Sequence, residues 1–458
     1  MSINKLPDDV LLAIFHLFAI EQSITKKEVE AWQILVHVCR QWRAVVFGSP
    51  RRLNLRLYCA TKTQTPVDVW PALPVHIEGS VGNAKESDNT IAVLKRSNPV
   101  YHIELSDLSS YLENILAEMQ KPFPELTYLW LLSTKAVAVV PDSFLSGSAP
   151  RLQRLTLNGI PFPGLPKLLL SAIHLTYLHL LYIPHSGYFS PEEIVTALST
   201  LTSLRQLILK FESPRSLPDG ELESRDPPPV ARSILPALRT LTFKGVSEYL
   251  EDLIALIDTP RLYSLHITLF NQILFDTPQF IQFISRTPKL KVLKKAHLVS
   301  EYDAAAVILS LPYGTGCEEL ELKISCRDSD WQVSSLEQVC NWCLPRLSAL
   351  EDLYIHENLR SPPDCQENVE NTLWLELLHP FPAVKNLYLS EKFALLLSPA
   401  LRELVGGITM DVLPNLQNTF LEGLRPSGPV QEGIVKFVAA RELSGHPITV
   451  SLWQRERV

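Results

Sequence analysis

Several things are scarce in this chain of 458 residues, and each scarcity excludes a class of function. Glycine is one: 17 residues are too few for phosphate-cradling loops, and no P-loop, G-x-S-x-G or H-E-x-x-H motif is present. Gly314-Thr315-Gly316 follows Leu311-Pro312-Tyr313 and reads as a turn. Cysteine is another. Seven scattered residues, an odd number, make no disulfide framework. The single C-x-x-C, Cys340 to Cys343, lacks the second pair that a zinc site needs. It lies in an amphipathic stretch with Leu336, Val339 and Leu344, and reads as buried thiols on a helix. Long apolar runs are missing. The stretches Leu165–Leu170 and Phe393–Leu397 are short and interrupted or bounded by Lys or Pro, so no membrane span is expected. No basic region followed by an apolar core stands at the start, which gives a cytoplasmic or nuclear expectation. Positive charge is not in excess. The formal net charge is −7, which argues against nucleic acid as the main partner. The clusters Arg51, Arg52, Arg56 and Lys289, Lys291, Lys294, Lys295 read as solvated faces or protein contacts.

Prominent instead is apolar helical patterning at the start. Leu6, Val10, Leu11, Ile14, Phe15 and Phe18 recur at helical spacing, and Leu12 and Leu17 widen the stripe. Pro7 suits a first helical turn, and Asp8 and Asp9 suit its positive end. Trp32, Leu35, Val36, Cys39, Trp42 and Val46 repeat the pattern. A short helical module with apolar surface on more than one side is expected to bury the excess against another protein. The wording Leu-Pro-x-x-Val-Leu-x-x-Ile-Phe, then Val-Cys-x-x-Trp-Arg, resembles an F-box over roughly residues 1–58. Leu6, Pro7, Val10, Leu11, Ile14 and Phe15 match its first helix, and Val38, Cys39, Trp42 and Arg43 its second half. The link from Ile20 to Ala31 is longer and more charged than usual for that family. The competing reading is a helical hairpin that caps a repeat array.

Beyond the module one pattern recurs, Leu-x-x-Leu-x-[Leu/Ile/Phe]. It stands at Leu126, Leu152, Leu175, Leu204, Leu238, Leu262 and Leu350, and as Val384-Leu387-Leu389, at intervals of roughly 23 to 34 residues where successive. Weaker copies stand at Leu290, Cys317, Leu401 and Leu413. A proline precedes many copies: Pro124, Pro150, Pro236, Pro260, Pro288, Pro345 and Pro382. Before it comes an amphipathic stretch, as in residues 249–259, 278–287, 334–344 and 369–379. Proline ends a helix and biases its predecessor to extended geometry, so the unit reads helix, stop, strand. Earlier strands are expected at Leu73–Ile77 and Val100–Leu105. The array resembles an irregular leucine-rich-repeat solenoid, with parallel strands on the concave side and helices on the convex side. The fold class is therefore α/β. The expected divisions are a helical module (1–58), a connecting segment with first irregular repeats (59–118), the solenoid (119–425) and a helix–strand cap (426–458). Residues 218–233 and 359–371 read as loops.

Strand alternation assigns the concave face. It is expected to carry Tyr128, Trp130, Arg154, Tyr177, His179, Lys210, Lys244, His266, Lys294, Glu319, Glu321, Lys323, Asp352, Tyr354, His356 and Tyr388. Tyr, Trp and Arg are interface-anchoring types, and Tyr128, Trp130, Arg154, Tyr177, His179, Lys210, Tyr354 and His356 are the leading target-binding candidates. The other reading is a solvent-facing surface without a ligand. His179, His266 and His356 lie several repeats apart and, with strands about 4.8 Å apart, cannot share a metal. No catalytic set, metal or cofactor is expected.

The F-box resemblance implies a non-catalytic substrate receptor of a cullin–RING (SCF) ubiquitin ligase. Leu6, Pro7, Val10, Leu11, Ile14, Phe15, Val38 and Cys39 would bind the Skp-type adaptor, and the repeats a target protein. Trp42 would hold the module together. The alternative is a leucine-rich-repeat scaffold that binds the adaptor or other proteins without ligase output. The stretches Ser49–Leu55 (SPRRLNL) and Trp70–Pro74 (WPALP) extend the resemblance to F-box-like leucine-rich-repeat proteins abundant in fungi.

Overall fold

The computed structural model describes residues 6–23, 31–65, 67–70, 72–96, 99–108, 111–134, 139–214, 232–270, 277–291, 293–311, 319–326, 329–344, 347–358, 370–403, 412–422 and 429–454. The chain is mixed α/β and divides into two compact units, Met1–Phe189 and Ser190–Val458.

The first unit opens with α1 (Asp8–Ser23), α2 (Ala31–Val38) and α3 (Arg40–Gly48). The Pro7 carbonyl accepts from the Val10 and Leu11 amides at 3.0 and 3.1 Å, so the proline starts α1 without costing it a needed donor. Cys39, in extended geometry, separates α2 from α3. Its Sγ accepts from the Trp42 amide at 3.5 Å and caps α3. Arg43 Nε donates to the Val36 carbonyl at 3.0 Å, near the end of α2. Leu11, Leu12, Phe15, Trp32, Leu35, Val36, Val45 and Val46 fill the module's core. Trp32 ties the module to the segment before the sheet: its Nε1 donates to the Arg56 carbonyl at 3.0 Å, and its ring lies 5.1 Å from that of Trp70.

Then come β1 (Leu57–Ala60), β2 (Val75–Ser80), α4 (Ala84–Leu94), β3 (Val100–Ser106), α5 (Leu112–Glu118), β4 (Tyr128–Leu132), β5 (Arg154–Asn158), α6 (Leu165–Leu169) and β6 (Tyr177–Ile183). The six strands pair in parallel and in chain order. The expected strands near residues 73 and 100 are present as β2 and β3. The sheet begins earlier than expected, at Leu57, within a strand that carries no leucine signature. The leucines of each motif, such as Leu126, Leu129 and Leu131, point to the core. Gly159 ends β5 at φ 66, where an added Cβ would lie 2.2 Å from the Ser133 carbonyl oxygen.

The second unit contains α7 (Pro191–Leu198), β7 (Gln206–Phe211), β8 (Ser233–Ile234), β9 (Thr240–Gly245), α8 (Ser247–Ala255), β10 (Ile257–Asp258), β11 (Ser264–Phe270) and α9 (Pro278–Arg286). It continues with β12 (Lys295–Ser300), β13 (Ala304–Ser310), β14 (Glu319–Ser325), α10 (Ser329–Gln338), β15 (Asp352–Glu357), α11 (Asn371–Leu378), β16 (Asn386–Leu389), α12 (Glu391–Glu403), β17 (Asn418–Glu422), α13 (Pro429–Leu443) and β18 (Thr449–Trp453). Ser190 caps α7 with Glu193 in a reciprocal capping box. The buried Glu251 carboxylate accepts from the Gln279 and Phe280 amides at 2.8 and 2.9 Å, so α8 caps α9.

Its sheet runs β7-β9-β11-β14-β13-β12-β15-β16-β17-β18, while β8 and β10 form a separate ladder. The expected array is purely parallel; here β13 is antiparallel to both β12 and β14. The reason is a short turn, Glu301–Asp303, that folds β13 back on β12. Gln332 fixes the turn by donating to the Glu301 and Cys326 carbonyls at 2.7 and 3.1 Å. A second correction concerns Leu401: it lies in α12 and not before a strand, because a three-residue leucine spacing also fits one helix face. Lys294 precedes β12, and Lys295 takes the strand position. Cys340 is buried in a π-helical turn, Val339–Cys343, that continues α10. The C-terminal helix and strand lie where expected, as α13 and β18. Most of the expected loops at 218–233 and 359–371, and the turn at 314–316, lie outside the described residues.

Candidate functional site

Two surfaces carry the candidate residues. The first is on the helical module. Helical periodicity sends Leu11, Leu12 and Phe15 of α1 into the core, where the Phe15 ring lies 4.7 Å from Trp42. The same periodicity leaves Val10, Ile14 and Leu17, four and then three residues apart, facing outward. On α2, Ile34 and Val38 also face outward, while Trp32, Leu35 and Val36 are buried. These five outward side chains are between 40 and 67% exposed. Leu6 is half-buried and Pro7 exposed. The eight residues expected at one contact therefore divide. Pro7, Val10, Ile14 and Val38 are exposed and available to a partner, Leu11 and Phe15 are internal, and Leu6 and Cys39 are half-buried, Cys39 capping α3.

The second surface is the open face of the sheet, described separately for each unit. In the first unit parallel register aligns Tyr58, His76, His102, Tyr128, Arg154 and Tyr177 across β1 to β6. His102 stacks on Tyr128 at 4.0 Å and 3°, and lies 3.9 Å from His76. The Arg154 guanidinium sits 4.5 Å over Tyr177. The next row holds Glu78, Glu104, Trp130, Thr156 and His179. Burial, then the neighbouring His76 and Arg56, lowers the His102 imidazole to about 3. Burial also lowers His76. Burial and the adjacent Glu78 raise the Glu104 carboxyl.

In the second unit His297, Tyr354, Tyr388 and Phe420 form one stack across β12, β15, β16 and β17. Successive centroids are 4.4, 4.1 and 4.5 Å apart, with rings within 8° of parallel. Trp453 packs edge-on against Tyr354 and Tyr388. Burial, then Tyr388, raises the Tyr354 phenol. His356 lies beside the stack, 3.3 Å from His297. A parallel polar row runs along it. Asn386 donates to Asp352 at 2.7 Å, Asn418 to Asn386 at 2.8 Å and Thr449 to Asn418 at 2.6 Å. Nearer β11, His266 Nδ1 and Glu321 Oε2 are 2.9 Å apart, and this bond raises the His266 pKa and lowers that of Glu321. Lys210 and Lys244 are cross-strand neighbours on the same face of β7 and β9.

The structure thus places Tyr128, Trp130, Arg154, Tyr177 and His179 together on one face, and Tyr354 with His356 on the other unit's face. Sequence reasoning missed Tyr58, His76, His102, His297, Phe420 and Trp453. The doubled His-x-Glu at His76–Glu78 and His102–Glu104 was a usable signal, since each pair must share a strand face. Among the described residues no group of three or more His, Cys, Asp or Glu side chains is placed to hold a metal ion. No described helix is long and apolar enough to cross a membrane. Compared with family models and with curated proteins, the chain matches none.

Proposed function

We propose that this chain is a non-catalytic substrate receptor of an SCF-type ubiquitin ligase. The helical module would act as an F-box on the Skp-type adaptor, and the repeats, a leucine-rich-repeat solenoid in this reading, would hold a target protein. The observation that carries the proposal is the outward apolar stripe Val10, Ile14, Leu17, Ile34 and Val38. A module whose core is already filled by Leu11, Phe15 and Trp32 gains nothing from five more large apolar side chains in water. Each is already partly covered, so a partner that buries the rest gains roughly 1–2 kcal/mol per side chain. Three of the five, Val10, Ile14 and Val38, are also among the residues that carry the F-box resemblance.

The receptor acts by proximity. The adaptor brings the ligase, the sheet face brings the target, and the effective concentration of target lysines at the ubiquitin thioester rises. The mixed aromatic and charged character of the face suits a protein partner.

Co-expression with a Skp-type adaptor and size-exclusion chromatography test this. The wild type should elute as a stoichiometric complex, and Val10→Asp/Ile14→Asp as a folded free chain. A folded wild type that elutes alone, with the adaptor separate, overturns the proposal. Leu11→Asp is unsuitable as the probe, because it places a charge in the core and unfolds the module.

A further inference from the structure

We propose that the first unit carries a small-molecule site at the N-terminal ends of β1 to β4, and that it takes an oxyanion, carboxylate or phosphate, borne on a flat apolar body. The inference does not depend on adaptor binding. A cavity of about 490 Å³ opens there, within the ordinary size range of ligand pockets. Arg56, Tyr101, Asn54, Pro74 and Pro99 are among its lining residues.

Three features of the backbone build it. Asn54 is held at φ 51, a left-handed conformation that a non-glycine residue adopts at a cost. From there its Oδ1 accepts from Arg56 Nε at 3.2 Å and orients the guanidinium. The β2–β3 register shifts between Val75 and His76, so Tyr101 is the extra residue of a bulge and leaves the alternation of β3. Thr127 anchors that bulge, its amide and hydroxyl both donating to the Tyr101 carbonyl, at 2.9 and 3.0 Å. The result places the Arg56 guanidinium 5.0 Å over the Tyr101 ring.

The polar groups so placed suit an anion. Among the described residues no carboxylate pairs with Arg56, and the buried Tyr101 hydroxyl lies beside its guanidinium and helps to hold it. Glu125, also in the lining, is engaged by Arg151. With Nε held by Asn54, the outer guanidinium N–H groups remain to meet an acceptor in the cavity. A planar or tetrahedral oxyanion satisfies them together. Pro74, Pro99 and Ala72 offer apolar wall to the body that carries it, so a bare inorganic anion leaves part of the cavity unused.

Saturation-transfer NMR on the full-length chain tests the site with four probes: benzoate, phenyl phosphate, inorganic phosphate and benzamidine. Benzoate or phenyl phosphate should bind, and which of them binds more tightly identifies the oxyanion. Inorganic phosphate should bind more weakly, and benzamidine not at all. Arg56→Gln, an exposed change that keeps the backbone carbonyl accepting from Trp32, should weaken aryl-anion binding about tenfold or more, as expected for a hydrogen-bonded ion pair. Tyr101→Phe should weaken it about fivefold, the worth of one hydrogen bond. Lys167→Gln, a surface change outside the cavity lining whose ammonium pairs with Asp142, should leave it within about twofold. Absence of aryl-anion binding, equal binding to Arg56→Gln, or equal binding of benzamidine overturns the proposal.

Discussion

The helical module and the repeat sheet treat large side chains in opposite ways. In the sheet units the aliphatic residues of each motif, such as Leu129 and Leu131 or Leu353 and Ile355, are buried, and the exposed face carries rings and polar groups. In the module an outward stripe is aliphatic: Val10, Ile14, Leu17, Ile34 and Val38. Aliphatic surface binds by exclusion of water and tolerates little chemical choice. A face of Tyr, His, Arg and Trp offers donors, acceptors and ring surfaces, and discriminates among partners. The difference teaches that the two surfaces suit two kinds of contact, one governed by exclusion of water and one by chemical choice.

The largest effect should come from crossing the division within α1. Phe15→Ala removes a fully buried ring and should cost the module about 3–5 kcal/mol, whereas the exposed Ile14→Ala should stay within about 0.5 kcal/mol. Hydrogen exchange over residues 8–48 reads both. Equal loss of protection in the two variants would erase the distinction between inner and outer stripe.

The sheet faces should differ in their response to acid. His102 is neutral in the fold down to about 3, whereas its unfolded form takes up a proton at its ordinary value of 6.5. Its contribution to stability is therefore complete above about 6.5 and shrinks as pH falls through the window to about 3. His266 works the other way. Glu321 raises its pKa, so its contribution is present below 6.5 and is lost as pH rises through the raised value. Glu321, lowered by the same bond, loses its own contribution only in stronger acid. Urea denaturation should show a loss of about 1–2 kcal/mol between about pH 7.5 and 5 that His102→Asn reduces. His266→Asn should deepen that loss. An acid response that His102→Asn leaves unchanged would contradict the assignment.

A smaller effect should follow from breaking the second unit's stack. Tyr388 lies between Tyr354 and Phe420. Tyr388→Leu should cost about 1 kcal/mol beyond the change in buried area, read by thermal denaturation. No change would mean that the stack is a coincidence of register.

Much of this architecture was legible where local chemistry repeats. The leucine motif located β4, β5, β6, β7 and β9, and at β4, β5 and β9 a preceding proline stop sharpened it. Leu57–Ala60 was missed because a four-residue strand carries too little pattern. The antiparallel β13 was missed for a different reason: Ala304–Ser310 reads only as an apolar run, and its place between β12 and β14 depends on a turn and on distant partners. The sheet-face residues were legible from alternation, but their stacking was not, since the ring ladder His297–Tyr354–Tyr388–Phe420 exists only once register is set. In α1 the stripe was visible, yet which half faces inward depends on Trp42, 27 positions beyond Phe15.

The most direct test is calorimetric titration of a Skp-type adaptor into four variants, two on each surface. Val10→Asp and Ile34→Asp should weaken adaptor binding about a hundredfold or more, the cost of a charge forced into an apolar interface. Trp130→Ala and Tyr388→Ala should bind as the wild type does. Retained affinity in the stripe variants, or equal loss in the sheet-face variants, would contradict the account.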